Sequence, residues 1–268
     1  MTIEEQYDKW HARLQQQYMD TFHAEEYISD GVIVPKLYAQ SPIKIMFLNR
    51  EPNDSGNSYD LAEEICKKIQ NNERIFSDGK SEIFRNSITY DMIVASCLLH
   101  PMFPNLSKND FEELIQNFDD KLFTEVVKRS AFCNIKKSGG GNRIKSWNVI
   151  RKHYLKGIEI LFKQIKYFNP TIIFCGNIVD EVLDIDVPEN RFRWNEKIDV
   201  RGTDVHFYVC AMELDGHVYP IVDLYHPSYV WLHNNTDYWF EILKGMQQVE
   251  KENPGFWASH MNQKCFEE

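Results

Sequence analysis

The chain has 268 residues, 43% hydrophobic and 13% aromatic, a composition that supports a buried core and excludes intrinsic disorder. Its net charge of −10, taken alone, argues against a nucleic-acid ligand, because binding a polyanion needs a basic footprint. The distribution reverses that reading: residues 131 to 158 hold seven basic side chains (Lys136, Lys137, Arg143, Lys145, Arg151, Lys152, Lys156) and no Asp or Glu, so the other 240 residues sum to −17.

An N-terminal helix is expected within residues 1–30, from about Ile3 to Tyr27, and "GVIVP" makes an extended lead-in. The apolar run Ile43 to Leu48 predicts a first strand. Residues 58 to 72, 82 to 99 and 108 to 129 read as helices, the last with Ser107 or Asn109 as cap, and together they form a helical insertion at about 54–129. "RSAFCNIKK" predicts a second strand. After a Gly-rich loop, Ile144, Trp147, Ile150, Tyr154, Ile158, Leu161 and Ile165 keep the steps of one long amphipathic helix. "NPTIIFCGN" is a third strand, followed by a short helix "IVDEVL". "DVHFYVCAMEL" and "HVYPIVDLYH" are two more strands joined by a hairpin at Asp215-Gly216, and a last helix runs from about Thr236 to Glu252. Strands that alternate with helices, several of them continuous apolar runs, predict one α/β domain over residues 1–268. Its expected architecture is a three-layer, doubly wound, mostly parallel sheet of about four to five strands flanked by helices.

No stretch approaches the roughly 18 apolar residues of a membrane span. The N-terminus has neither a basic n-region nor an apolar h-region, so a cytoplasmic protein without a membrane partner is expected. The six cysteines lie at least 31 residues apart, which leaves no C-x-x-C spacing for zinc or an iron-sulfur cluster; reduced thiols, no metal and no cofactor are expected.

Ligands of such a sheet bind beyond the carboxyl ends of its parallel strands. Those ends are Asn49-Arg50-Glu51-Pro52-Asn53, Asn134 with the loop "KKSGGGNRIK", Gly176-Asn177, and His226-Pro227-Ser228. At these residues the chain resembles the uracil-DNA glycosylase superfamily. "FLNREPN" looks like its strand-and-loop first motif with Glu51 in the acid/amide position, Asn134 in "AFCNIKK" matches its strand-end Asn, and "HPS" is present verbatim. The likeness spans residues 43 to 232 in the right order. It departs in Asn49, where the superfamily usually has Gly, and in Glu51, where Asp or Asn is typical. Both changes bear on which base the pocket takes, uracil or a bulkier modified pyrimidine of the kind found in some phage genomes, and so on repair against antiviral defence.

The resemblance implies a monofunctional DNA glycosylase with Asn49, Glu51 and His226 as its catalytic group. Base excision passes through an oxocarbenium-like sugar and releases an anionic base. Glu51 suits the cation and the attacking water, and a neutral His226 suits the leaving base. Asn134 offers one donor and one acceptor to a pyrimidine edge, and Phe84 and Tyr59 are candidates to stack on the flipped base. Lys136, Lys137, Gly139, Gly140, Gly141, Arg143 and Lys145 are expected on phosphate, with Ser228, Tyr229 and Trp231 against DNA beside the extruded nucleotide. Two rivals remain: a catalytically silent DNA-binding relative, and a small-molecule or nucleotide hydrolase on the same sheet. The second lacks any G-x-S-x-G, Walker or G-x-G-x-x-G signature.

Overall fold

The computed structural model describes residues 1–52, 59–76, 80–138, 146–183, 191–199, 206–226 and 235–267. In chain order its elements are α1 (Ile3–Phe22), β1 (Gly31–Val32), α2 (Pro35–Ala39), β2 (Ile45–Asn49), α3 (Leu61–Gln70), α4 (Lys80–Ser96), α5 (Lys108–Gln116), α6 (Asp120–Lys128), β3 (Ser130–Asn134), α7 (Trp147–Phe168), β4 (Ile172–Gly176), β5 (Arg191–Asp199), β6 (His206–Leu214), β7 (His217–Leu224), α8 (Thr236–Glu252) and α9 (Phe256–Ser259). A π-helical turn, Val179–Leu183, follows β4.

The strands form one mixed sheet of order β1-β3-β2-β4-β7-β6-β5. β3, β2, β4 and β7 run parallel, while β1 pairs antiparallel with β3, and β6 with both β7 and β5. The sheet is therefore mixed and seven-stranded, which corrects the expectation of a mostly parallel sheet of four to five strands. What sequence reading missed is the two-residue β1 and the charged edge strand β5. Asp215 and Gly216 both hold positive φ (52° and 81°) between β6 and β7, the backbone of a type I′ hairpin turn.

Alternation along the strands sends apolar side chains to both faces. Ile45, Phe47, Phe132, Ile172, Phe174 and Val222 pack against Ile88, Met92, Phe111, Phe123, Trp239 and Ile242 of the α4, α5, α6 and α8 layer. Met46, Leu48, Cys133, Ile173, Cys175 and Ile221 pack against Tyr7, Trp10, Leu14, Tyr154, Ile158 and Leu161 of α1 and α7. Helices on both faces make the three layers. All six cysteines are free, and burial raises the Cys133 and Cys175 thiols well above their ordinary range.

The boundaries of several helices differ from expectation. α1 ends at Phe22, where His23 takes a left-handed C-cap, not at Tyr27. The helix expected over 108–129 is two helices, because Asp119 accepts from the Leu122 N–H and starts α6 afresh, while Ser107 caps α5 through a capping box with Asp110. α7 begins at Trp147 behind the Ser146 cap.

Candidate functional site

The connection from β2 leads to β3 on one side, whereas β4 lies on its other side and leads onward to β7. The β2–β4 boundary is thus the switch point of the parallel strands, the place at which open α/β sheets bind their ligands beyond the carboxyl ends. The chain segments at that rim are the tips of β2, β3, β4 and β7.

Asn49 and Asn134 are direct register partners on β2 and β3. The two chains stay zipped past the strand ends, as the Ile135 N–H donates to the Asn49 carbonyl and the Lys136 N–H to the Arg50 carbonyl, each at 2.9 Å. This brings Lys136 Nζ to 3.0 Å from Glu51 Oε2, with a second bond to the Ser138 carbonyl at 3.0 Å. Both side chains of the pair are about nine-tenths covered, at 10% exposure each. The carboxylate at the tip of β2 is therefore held by a cation from the tip of β3.

Beneath this pair lies a group that sequence reading missed. Asp30 has a fully buried side chain; it accepts from the Asn134 N–H (2.6 Å), from Lys137 Nζ (2.7 and 2.8 Å) and from Gln164 Nε2 (3.0 Å). Lys137 also donates to the Asn134 carbonyl at 3.1 Å and is 2% exposed. This corrects the expectation for Lys137, whose ammonium is consumed by a core carboxylate and does not face phosphate. Asn134 itself is buried, fixed at its N–H and carbonyl, while its side-chain amide bonds to no described residue.

At the β7 tip, Asp223 accepts from the N–H groups of Ile178 (Oδ1) and Val179 (Oδ2) at 3.0 Å each, clamping the β4 tip to β7. The hydroxyl of Tyr238, on α8, accepts from the Tyr225 N–H at 3.4 Å. His226 follows. Burial first, and the nearby Arg50 cation second, push its imidazole down to about 3, so it is neutral at physiological pH and carries one N–H donor. Arg50 lies with Cζ 5.2 Å from the Trp147 ring centroid. It too escaped the sequence reading.

Two expected stacking residues lie elsewhere. Phe84 meets Phe76 edge-on at 5.2 Å, and Phe76 meets Phe132 at 6.0 Å, so Phe84 belongs to the packed layer of α4 and not to the rim. Tyr59 lies at the β1 edge, drawn there by the Ser29–Asp60 bridge and by the Ser29 N–H donating to its carbonyl. It lines a cleft of about 350 Å³ with Asp8, His11 and Asp60, away from the β2–β4 boundary. Gly139, Gly140, Gly141, Arg143, Lys145, Ser228, Tyr229 and Trp231 fall outside the described residues.

Among the described residues no group of three His, Cys, Asp or Glu side chains is arranged to hold a metal ion. No described helix is long and apolar enough to cross a membrane. Fold and rim define an α/β protein whose parallel-strand ends carry a Lys-held glutamate, a buried asparagine and a neutral histidine. Beyond that class the comparisons add nothing: no known protein family matches the chain, and no curated protein is similar to it.

Proposed function

We propose that the chain is a monofunctional DNA glycosylase that takes a flipped-out nucleotide and hydrolytically excises uracil or a modified pyrimidine, leaving an abasic site. The observation that supports this reading is that Glu51, Asn134 and His226 all lie at the carboxyl ends of the parallel strands β2, β3 and β7, with Arg50 next to Glu51 in sequence and in charge contact with His226. In the reaction the N-glycosidic bond breaks with its electron pair leaving on the base, and a water oxygen bonds to C1′ of the sugar. Glu51 offsets the positive charge on the sugar and accepts the proton of the attacking water. The neutral imidazole of His226 donates to the base oxygen on which negative charge gathers, and its neutrality keeps that donation a transition-state interaction. Asn134 presents its amide to the pyrimidine edge, with its backbone locked so that the side chain alone adjusts.

DNA is accordingly the proposed partner and the cytoplasm the proposed compartment. The test is base release from oligonucleotides carrying uracil, mispaired thymine, hydroxymethylcytosine or glucosylated hydroxymethylcytosine, with hot alkali to cut at abasic sites. Strand cleavage on any of them is the expected result and names the base. DNA binding without cleavage on all four would sink the enzyme reading and leave a silent DNA-binding module. No binding at all would sink the DNA reading.

A further inference from the structure

We infer that Arg50 is the residue at this rim that grips a phosphodiester of the DNA, next to the nucleotide whose base the site receives; this rests on the glycosylase reading above. The guanidinium is partly buried at the tip of β2, directly before Glu51. It lies over the face of Trp147, the first residue of α7, and forms no hydrogen bond or ion pair with any described residue. Among the described residues, the carboxylates near these strand tips are already engaged. Glu51 is taken by Lys136, Asp30 by Lys137 and Asp223 by two backbone N–H groups. The first turn of α7 has no carboxylate.

A guanidinium carries five donors in a planar fork, and its match is a bidentate oxyanion. Burial lowers the basicity of Arg50 and the neighbouring Glu51 carboxylate partly offsets this, but with Glu51 hydrogen-bonded to Lys136 the fork itself is left without a hydrogen-bonded anion among the described residues. The contact with the Trp147 ring holds the half-buried guanidinium at the rim. Across the Glu51, Lys136, Arg50 and neutral His226 cluster the balance is one positive charge, opposite in sign to the chain's −10. A small acidic substrate would use the same fork, but a phosphodiester lets the guanidinium anchor the backbone while the base reaches Asn134.

The experiment is the salt dependence of binding of a short single-stranded DNA oligonucleotide to the full chain and to its Arg50→Gln and Arg50→Lys variants, with thermal unfolding run on each. Loss of one phosphate contact should lower the magnitude of the log K against log salt slope by about 0.7 in Arg50→Gln. Arg50→Lys should keep the slope, since the charge stays, and lose affinity several-fold, since the fork is gone. Independently, the Arg50 Nε resonance of the wild-type chain should move on addition of a thymidine dinucleotide and stay in place with thymidine. An unchanged slope in Arg50→Gln, or an unmoved resonance, would overturn the assignment while base release still tests the glycosylase reading by itself. Absence of DNA binding by the wild-type chain would remove both.

Discussion

Glu51 makes one charge-assisted bond, to Lys136, and is otherwise covered, so Glu51→Gln keeps its shape and deletes its charge. Single-turnover excision should fall by about 10² to 10³, while DNA affinity stays within about threefold. Equal excision in that variant would exclude the role. Because His226 is already neutral, the pH profile of excision should show no limb near the ordinary histidine value; a limb near pH 6.5 that disappears in His226→Gln would contradict the assignment. At this scale the sequence was readable for position: Glu51, Asn134 and His226 stand at the strand ends where the apolar runs stop. It was not readable for Asp30, whose partners lie 104, 107 and 134 residues further along the chain. Adjacent lysines show the same limit: Lys136 turns to the rim and Lys137 to the core, a difference that composition does not carry.

Among the elements, the split between α5 and α6 was hidden because Phe111, Leu114, Ile115, Phe118, Leu122, Phe123 and Val126 keep helical spacing across the break. Only the Asp119 cap records it. Asp119→Ala should destabilise the fold by about 1 kcal/mol, read as a lower urea midpoint with unchanged slope. β1 depends on a closer approach. Gly31 has φ +141° and an added Cβ would meet the Tyr7 hydroxyl, which itself accepts from the Val32 N–H. Gly31→Ala should therefore cost more than the cap does, roughly 2 kcal/mol by the same measurement. The apolar strands were legible because both their faces are buried. β5, "RFRWNEKID", was not, since an edge strand with one neighbour has no need of a continuous apolar run. Its register also shifts between Trp194 and Glu196.

For the whole molecule, acid is the sensitive variable. Burial holds His153 and His260 down to about 4 and lowers His217 as well, beside the more strongly depressed His226. His260 is 8% exposed, with an Nδ1 that has no partner. The unfolded chain takes up these protons near pH 6.5 and the folded chain does not. Stability is thus fully present above about pH 6.5 and is lost as pH falls from there toward 4. His260 alone contributes on the order of 1 kcal/mol per pH unit within that window. The urea midpoint should drop between pH 7 and pH 5, and His260→Gln should flatten the drop. Asp30 has a different consequence for the molecule as a whole. Its carboxylate ties the β1 edge, the β3 tip and α7 through one buried point, so the Asn134 N–H cannot meet solvent unless these three separate together. In a deuterium-exchange experiment that amide should rank with the slowest in the chain, exchanging at the rate of global unfolding.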